Sequence, residues 1–430
     1  MQTTKELGFW MCTALVVGNV IGMGIFMLPA SLAPFGLNAL VGWGITVLGM
    51  SMVARVFARL AREFPQADGP YAYIRDTLGD APAFVAIWCY WVSLWITNAA
   101  LAIGIAGYLA AAVPSAQSLP PLLLALGLIW TFVLVSLLGA RTGGGVQVIT
   151  TLLKLLPMAA IILLGAWVLL RDPAAYTRSV PSTPITLHDL MAASTIALFA
   201  MLGVESATIP AGRVREPERT IPRATLAGTL VTALIYIAVS TVALLLIPQQ
   251  QLAQSTAPFV ELLNRYGSSA DGRLLAGFVV VSGLGALNGW TLLTGELTRS
   301  MSQHGVLPPR LQALNGRGAP ATALLLVGVL ASGMVLMNYS RSLVQGFTFL
   351  TLVVTGANLP LYLFCGLALT VLWRRGTRIR SADVLFLGMA GTAYSVFAFI
   401  GLGGEPFVWA LALAAAGLPL YVLMRMRKPA

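Results

Sequence analysis

The sequence predicts an all-α polytopic membrane protein with about twelve spanning helices. We expect two five-helix repeats of inverted topology, followed by two extra helices. Three observations support this prediction. The chain has 430 residues, of which 58% are hydrophobic and 10% charged, whereas a soluble domain carries about 25% charged residues. Two long apolar segments are interrupted by glycine and proline in the same way, and the positive charges are distributed unevenly between the connecting loops.

Apolar runs long enough to cross a bilayer follow one another along the whole chain. A helical span needs ~20 mostly apolar residues, and about twelve such runs can be counted on that length. We therefore expect a single membrane domain, residues 1–430, with repeats at about 9–170 and 188–373 and extra helices at 383–424. The predicted spans are 9–32, 37–60, 83–113, 121–140, 146–170, 188–212, 224–247, 274–301, 319–338, 344–373, 383–402 and 407–424.

The first and sixth runs contain matching interruptions. The first reads GNVIGMGIFMLPA from Gly18 to Ala30, and the second reads MLGVESATIPAGR from Met201 to Arg213. A helix broken inside a bilayer leaves backbone groups without partners, which is tolerated only where the break lines a cavity or binds something. Paired breaks in corresponding spans indicate the substrate site of a secondary transporter. Packing kinks are the alternative, because glycine and proline are common in membrane helices.

The net charge of +11 could suggest a nucleic-acid partner, but the placement of the basic residues does not. If both termini are cytoplasmic, 20 of the 26 lysines and arginines fall on the cytoplasmic side and five fall outside. This is the positive-inside bias of membrane proteins. We therefore predict a multi-pass protein of a bacterial inner (plasma) membrane with both termini in the cytoplasm, with lipid rather than nucleic acid around it. The oligomeric state stays open, and a homodimer is one alternative.

The sequence does not indicate an enzyme. Its three cysteines are scattered and its two histidines lie near loop ends, and no metal, serine-hydrolase or phosphate-loop motif is present. We therefore expect no cofactor and no metal. A channel would show pore-lining rings or a selectivity filter, and no such pattern is visible.

Four segments, in order, carry a family resemblance. They are GNVIGMGIF followed by LPA, FPQADGPYAYIRDTLG, GVESATIPAGRVREPERTIPRA and GWTLLTGELTRSMSQHGVLP. Together they resemble the signatures of the amino acid–polyamine–organocation superfamily, and most closely those of its arginine/agmatine antiporter group. The resemblance implies a LeuT-like fold and secondary active transport of an amino acid or its amine.

The first break should bind the charged head of an amino acid. Because half-helix N-termini are electropositive, the N–H groups of Gly22, Met23 and Gly24 are candidates to hold a carboxylate. Carbonyls freed near Asn19 and Val20, and others at the second break from Phe199 through Ala200 to Met201, are candidates to accept from an ammonium group.

The resemblance adds further pocket residues. It places Trp290 beside the aliphatic chain of the substrate and maps Tyr90 onto an outer gating tyrosine. Ser93, Leu94 and Asn98 share a helix face with Tyr90, and Asn98 is the candidate for a distal substrate group. Smaller or less polar residues than those of the antiporter group make the pocket more apolar than a guanidinium site should be; they are Phe199, Ala200, Val353 and Ala357.

Two charged residues inside spans are candidates for gating and coupling. Glu205 lies in the sixth span, where an ionisable residue is a functional hypothesis by default, and the resemblance makes it the gate-linked acid. Lys154 is similar to the fifth-helix lysine of sodium-independent relatives, in which an ammonium group takes the place of a sodium ion. The alternatives are a structural, hydrogen-bonded role for Glu205 and snorkelling of Lys154 to an interface. The overall prediction is sodium-independent exchange or proton-coupled transport, with transport of neutral apolar amino acids as the second reading.

Overall fold

The computed structural model describes residues 8–64, 69–139, 143–180, 183–203, 216–376 and 381–426. Within these ranges the regular structure is helical, without strands. Each of the twelve predicted runs contains a helix. Eight helices of the described part are long and apolar enough to cross a membrane, and the remaining spans are built from shorter apolar helices.

The helices alternate with short connections. In chain order they are α1 (Phe9–Val20), α2 (Gly24–Leu32), α3 (Asn38–Glu63), α4 (Pro70–Leu78), α5 (Asp80–Ala112), α6 (Pro121–Leu137), α7 (Gly143–Arg171), α8 (Ala175–Arg178), α9 (Leu187–Ala200), α10 (Pro217–Leu246), α11 (Gln249–Gln254), α12 (Pro258–Tyr266), α13 (Ser269–Gln303), α14 (Ala321–Met337), α15 (Leu343–Arg374), α16 (Ala382–Ile400), α17 (Gly404–Ala415) and α18 (Gly417–Met426).

The break in the first span is confirmed. Helix α1 ends at Val20 and helix α2 begins at Gly24, so residues 21–23 interrupt one membrane-length run. The backbone of Ile21 is extended, with φ −73° and ψ 100°. The last carbonyls of α1 and the first N–H groups of α2 therefore lack partners in a helical ladder.

The sixth span is interrupted at the predicted place. Helix α9 ends at Ala200 and a turn follows at residues 201–203. Gly203 has φ +100°, a conformation that favours glycine because a side chain is strained there. Residues 204–215, and Glu205 with them, lie outside the described part.

Helices α5 and α15 form the centre of the bundle. The most apolar part of α5 is 83% buried and that of α15 is 72% buried, whereas the corresponding part of Gly404–Leu423 is only 11% buried. The last span therefore lies at the periphery, as expected for a helix added outside the two repeats.

Close approaches at glycine fix the helices around the first break. A Cβ on Gly42 of α3 would lie 2.9 Å from the backbone nitrogen of Ser194 in α9. A Cβ on Gly228 of α10 would lie 2.7 Å from the side chain of Val16 in α1. Neither contact leaves room for a methyl group, so α3 packs closely on α9 and α10 packs closely on α1, the helix that ends at the break.

The segment Phe64–Asp76 is rich in turn-forming residues, but part of it is helical. Helix α4 begins with a proline at its first position, where the missing N–H costs nothing. Gly69 (φ +85°) precedes it and Gly79 (φ +96°) follows it. Tyr73, Ile74 and Thr77 are buried, so burial of one helix face overrides the turn-forming composition.

Candidate functional site

The first break opens into a cavity at the centre of the bundle. Its volume is about 40 Å³, room for roughly three water molecules at ~10–15 Å³ each. Helices α1, α2, α5, α9, α10, α13 and α15 or the turns between them contribute its walls. The lining residues are Val20, Gly22, Met23, Gly24, Ile25, Leu94, Thr97, Leu101, Phe199, Ala200, Leu202, Tyr236, Trp290 and Asn358.

Side chains from two other helices satisfy carbonyls at the end of α1. Lys154 Nζ of α7 donates to the Gly18 carbonyl at 3.3 Å. The Tyr236 hydroxyl of α10 donates to the Val20 carbonyl at 3.1 Å. Donors from α7 and α10 thus replace the hydrogen bonds that these carbonyls would make in an unbroken helix, and they connect both helices to the end of α1.

Lys154 is 3% exposed, so the structure does not place it in the snorkelling position that was the alternative. An ammonium group at this depth requires acceptors. The Gly18 carbonyl is available as an acceptor because α1 ends two residues later. The ammonium group of Lys154 therefore has a backbone acceptor close to the first break.

Tyr236 was not among the predicted site residues. Its ring packs edge-on against Trp43 of α3, with centroids 5.7 Å apart, and it is fully buried. Gly228 lies two turns earlier on the same face of α10 and brings that face against α1. A tyrosine inside an apolar span is the only sequence signal, because its partner is a backbone carbonyl that no motif reveals.

The start of α2 presents the predicted carboxylate donors. Met23 is the N-cap residue and Gly24 the first residue of the helix, so the N–H groups here lie at the positive end of a helix dipole. A Cβ on Gly22 would meet no atom within 4 Å. The side of Gly22 on which a side chain would stand is therefore open.

The Met23 side chain is buried between two glycines. A Cβ on Gly104 of α5 would lie 2.9 Å from Met23 Cγ, and one on Gly283 of α13 would lie 3.2 Å from Met23 Sδ. The thioether thus fills a slot between the two glycines, and this wall of the cavity is apolar.

On α5, the predicted face is displaced by about one residue. Leu94 lines the cavity as expected, and Thr97 and Leu101 join it, at the i+3 and i+7 positions. Asn98 lies outside the lining, 2% exposed, and both of its amide atoms lack a hydrogen-bond partner. A buried amide without partners is costly, so Asn98 stays a candidate for contact with a substrate or water.

Ser93 is engaged in holding two helices together. Its hydroxyl donates to the Tyr90 carbonyl at 2.7 Å and accepts from Asn358 Nδ2 of α15 at 2.8 Å. Asn358 lines the cavity, and its Oδ1 has no hydrogen-bond partner. The sequence analysis missed Asn358, although an asparagine inside an apolar run, just before Leu359 and Pro360, is a signal that could have found it.

The remaining predicted residues divide into two groups. Phe199, Ala200 and Trp290 line the cavity. The residues that are buried but do not line it are Met201, Val353 and Ala357. Asn19 lies in the last turn of α1. Glu205 lies outside the described residues.

Tyr90 lies one turn from Leu94, on the side towards Asp80. Under the predicted orientation, the Asp80 end of α5 is the cytoplasmic end. Tyr90 would then lie on the inner side of the cavity, whereas the resemblance suggested an outer gate.

None of the described residues that line the cavity is charged. Polar side chains come from Thr97, Tyr236 and Asn358, and the backbone of the break adds donors and acceptors. This set can hold a carboxylate and an ammonium group through neutral hydrogen bonds, with apolar walls around the rest of a small ligand.

Comparisons with known proteins agree with this picture. The sequence profile of an amino acid permease family matches residues 7–419. The chain is 30% identical over 425 residues to the putrescine transporter PotE of Haemophilus influenzae, covering 97% of both chains. It is 31% identical to a putative arginine/ornithine antiporter of Bacillus subtilis, covering 98% of this chain and 97% of that one. It is 30% identical to the cadaverine/lysine antiporter of Escherichia coli, covering 94% and 91%.

Solved structures give the fold. A manganese transporter of Eremococcus coleocola superposes with a TM-score of 0.58 at 14% identity, covering 99% of this chain and 97% of that one. A sodium-coupled sialic acid symporter superposes with a TM-score of 0.52 at 12% identity, covering 92% and 90%. Both have the LeuT-type fold, so the predicted fold class is confirmed. The family and these sequence relatives are multi-pass membrane transporters and not enzymes. The chain therefore belongs to the amino acid permease family, within the amino acid–polyamine–organocation superfamily that its motifs predicted.

Proposed function

We propose that this permease moves an amino acid, or the amine formed from it by decarboxylation, without sodium, by exchange or together with a proton. The observation that carries the proposal is the contact of Lys154 Nζ with the Gly18 carbonyl at 3.3 Å. A fixed ammonium group supplies the positive charge that a sodium ion would bring to freed carbonyls. The sequence relatives that are named as antiporters support exchange.

Recognition of the substrate begins at the break. The carboxylate lies against the N–H groups of residues 22–24 at the positive end of α2. The Asn358 Oδ1 atom, which has no partner in the structure, accepts from the ammonium group. Trp290 and Phe199 cover the side chain of the substrate, and Trp290 can also contact a distal cation through its ring.

Transport of a neutral, apolar amino acid is the second candidate. It is favoured by the described lining, which has no charged side chain and to which Met23 contributes an apolar thioether. The relatives are named for putrescine, arginine, ornithine, cadaverine and lysine, which favours a cationic substrate. Glu205 is the acid that could pair with such a substrate.

The orientation and setting follow the sequence. The basic loops support an orientation with both termini in the cytoplasm of a bacterial cell and the protein in the inner membrane. A homodimer remains an expectation that size measurement in detergent can test.

Uptake into proteoliposomes tests the proposal directly. Vesicles preloaded with one amino acid or amine are supplied with a radiolabelled panel of amino acids and polyamines, in sodium and in choline buffer. Sodium-independent counterflow is expected, and a sodium requirement would contradict the role of Lys154.

A variant pair refines the same experiment. Lys154→Ala should reduce exchange at least tenfold, because the Gly18 carbonyl loses its donor. Leu163→Ala, at a 69% exposed position of the same helix, is the matched control and should transport normally. Equal transport by both variants would remove the lysine from the mechanism.

A further inference from the structure

A second cavity lies at one end of the bundle and shares no lining residue with the cavity at the break. It is a groove of about 410 Å³ between α3, α10 and α16. The residues that line it are Ala54, Arg55, Ala58, Arg59, Arg62, Pro222, Arg223, Leu226, Asp383, Phe386 and Leu387.

The groove has an excess of positive charge. Arg55, Arg59 and Arg62 follow one another at i, i+4 and i+7, the spacing of one helix face, and Arg223 comes from α10. Asp383 is the only carboxylate among the described lining residues, and it pairs with Arg59 at 2.8 Å. Three more guanidinium groups than carboxylates therefore face this space.

Among the described residues, Arg55 has a sulfur atom rather than an oxygen as its side-chain acceptor. Its Nη1 lies 4.0 Å from the Met52 sulfur, and a thioether is a weak acceptor. Arg55 and Arg223 are both exposed. Guanidinium groups form two parallel hydrogen bonds to phosphate oxygens, so the exposed arginines of the groove are suitable donors for a phosphate group.

The other wall of the groove is apolar and continues along the membrane span. Leu226 lines the groove, and Leu230 and Leu234 follow on the same face of α10, 41% and 68% exposed. Across the groove, Phe386 of α16 is 62% exposed. The arginines thus lie at one end of a surface whose remaining part is exposed and apolar.

We propose that this groove binds an anionic phospholipid, with the phosphate between the arginines of α3 and α10 and the acyl chains along α10 and α16. Basic pockets between membrane helices are recognised by lipid headgroups. A free phosphate ion would use the guanidinium groups but not the apolar wall. The combination of both surfaces points to a lipid.

The experiment uses the full chain, purified in a neutral detergent. Its melting temperature is measured with phosphatidylglycerol, with phosphatidylcholine of the same acyl chains, and with soluble glycerol phosphate. The test variant is Arg55→Gln with Arg223→Gln, which leaves the Arg59–Asp383 pair in place. The control is Arg310→Gln with Arg317→Gln, two exposed arginines outside the groove.

Phosphatidylglycerol should raise the melting temperature of the wild type, whereas phosphatidylcholine and glycerol phosphate should not. The test variant should need roughly 25-fold more phosphatidylglycerol for half of the effect, about fivefold for each arginine, and the control should respond like the wild type.

An equal response of the test variant and the wild type would overturn the proposal. An equal effect of phosphatidylcholine, or protection by glycerol phosphate that depends on the two arginines, would overturn it as well. If the test variant does not fold, Arg55→Gln alone is compared with Arg310→Gln. Native mass spectrometry of the wild type then supplies a second reading, in which phosphatidylglycerol must be retained in preference to phosphatidylcholine.

Discussion

The ring of Phe199 occupies the space beside Gly24 that a side chain would need. A Cβ on Gly24 would lie 2.9 Å from Phe199 Cε1 and 3.0 Å from Cδ1. The end of α9 is therefore packed directly on the start of α2, so the two interrupted spans touch where both are broken. A displacement of either segment has to move the other.

The two glycines of the break should respond differently to a methyl group. Gly22→Ala meets no atom within 4 Å, so the protein should keep its melting temperature but lose substrate affinity at least tenfold, because the methyl group enters the space used by the carboxylate. Gly24→Ala should instead lower the free energy of unfolding by about 1–3 kcal/mol through overpacking against Phe199. Thermal unfolding and substrate binding of both variants check this, and unchanged affinity of Gly22→Ala would exclude the carboxylate site.

The Tyr236 hydroxyl should matter more for transport than for stability. Tyr236→Phe keeps the contact with Trp43 but removes the donor to the Val20 carbonyl, at a cost of about 1 kcal/mol of stability. Because the freed carbonyl belongs to the cavity wall, we expect transport to fall about tenfold. Thr241→Val is a control, since the Thr241 hydroxyl bonds only within α10, to the Ile237 carbonyl. Equal transport by the two variants would show that the tyrosine is a packing residue.

The Asn358–Ser93 pair offers a test of which residue meets the substrate. Ser93→Ala removes the link between α5 and α15 but leaves the Asn358 amide in the cavity, so affinity should change less than threefold. Asn358→Ala removes both the link and the unpaired Oδ1 acceptor, and affinity should fall about tenfold. Equilibrium binding of the substrate to both proteins in detergent separates the two roles. If Ser93→Ala is the more damaging change, the serine contacts the substrate as first predicted.

The sequence predicted those features of the site that depend on one segment alone. Composition gives the spans, and the glycines of residues 22 and 24 give the break. Lys154 could be assigned to the break because a buried ammonium group needs acceptors and an interrupted helix has them. The partners of Asn358 and Tyr236, however, come from helices far apart in the chain. Local patterns do not reveal the rotation of α5 that brings Thr97 into the lining. They also do not reveal the slot between two glycines that the Met23 side chain fills.

A substitution of Glu205 tests whether the substrate is cationic or neutral. If it is the acid beside the substrate, it ionises as the pH rises, and its carboxylate then attracts a cationic amino acid or amine. Uptake of a cationic substrate should therefore increase with pH. Glu205→Gln keeps the shape and hydrogen-bonding capacity but cannot ionise, so it should flatten this dependence and reduce uptake of the cation. Uptake of a neutral amino acid by the same variant should be affected less.

If Glu205 has only a structural role, Glu205→Gln should lower the melting temperature and leave the pH profile of the surviving protein unchanged. Measurement of the pH–rate curve and the thermal stability of this one variant separates the two roles, and a preserved pH response would assign the proton sensitivity to another group such as Lys154.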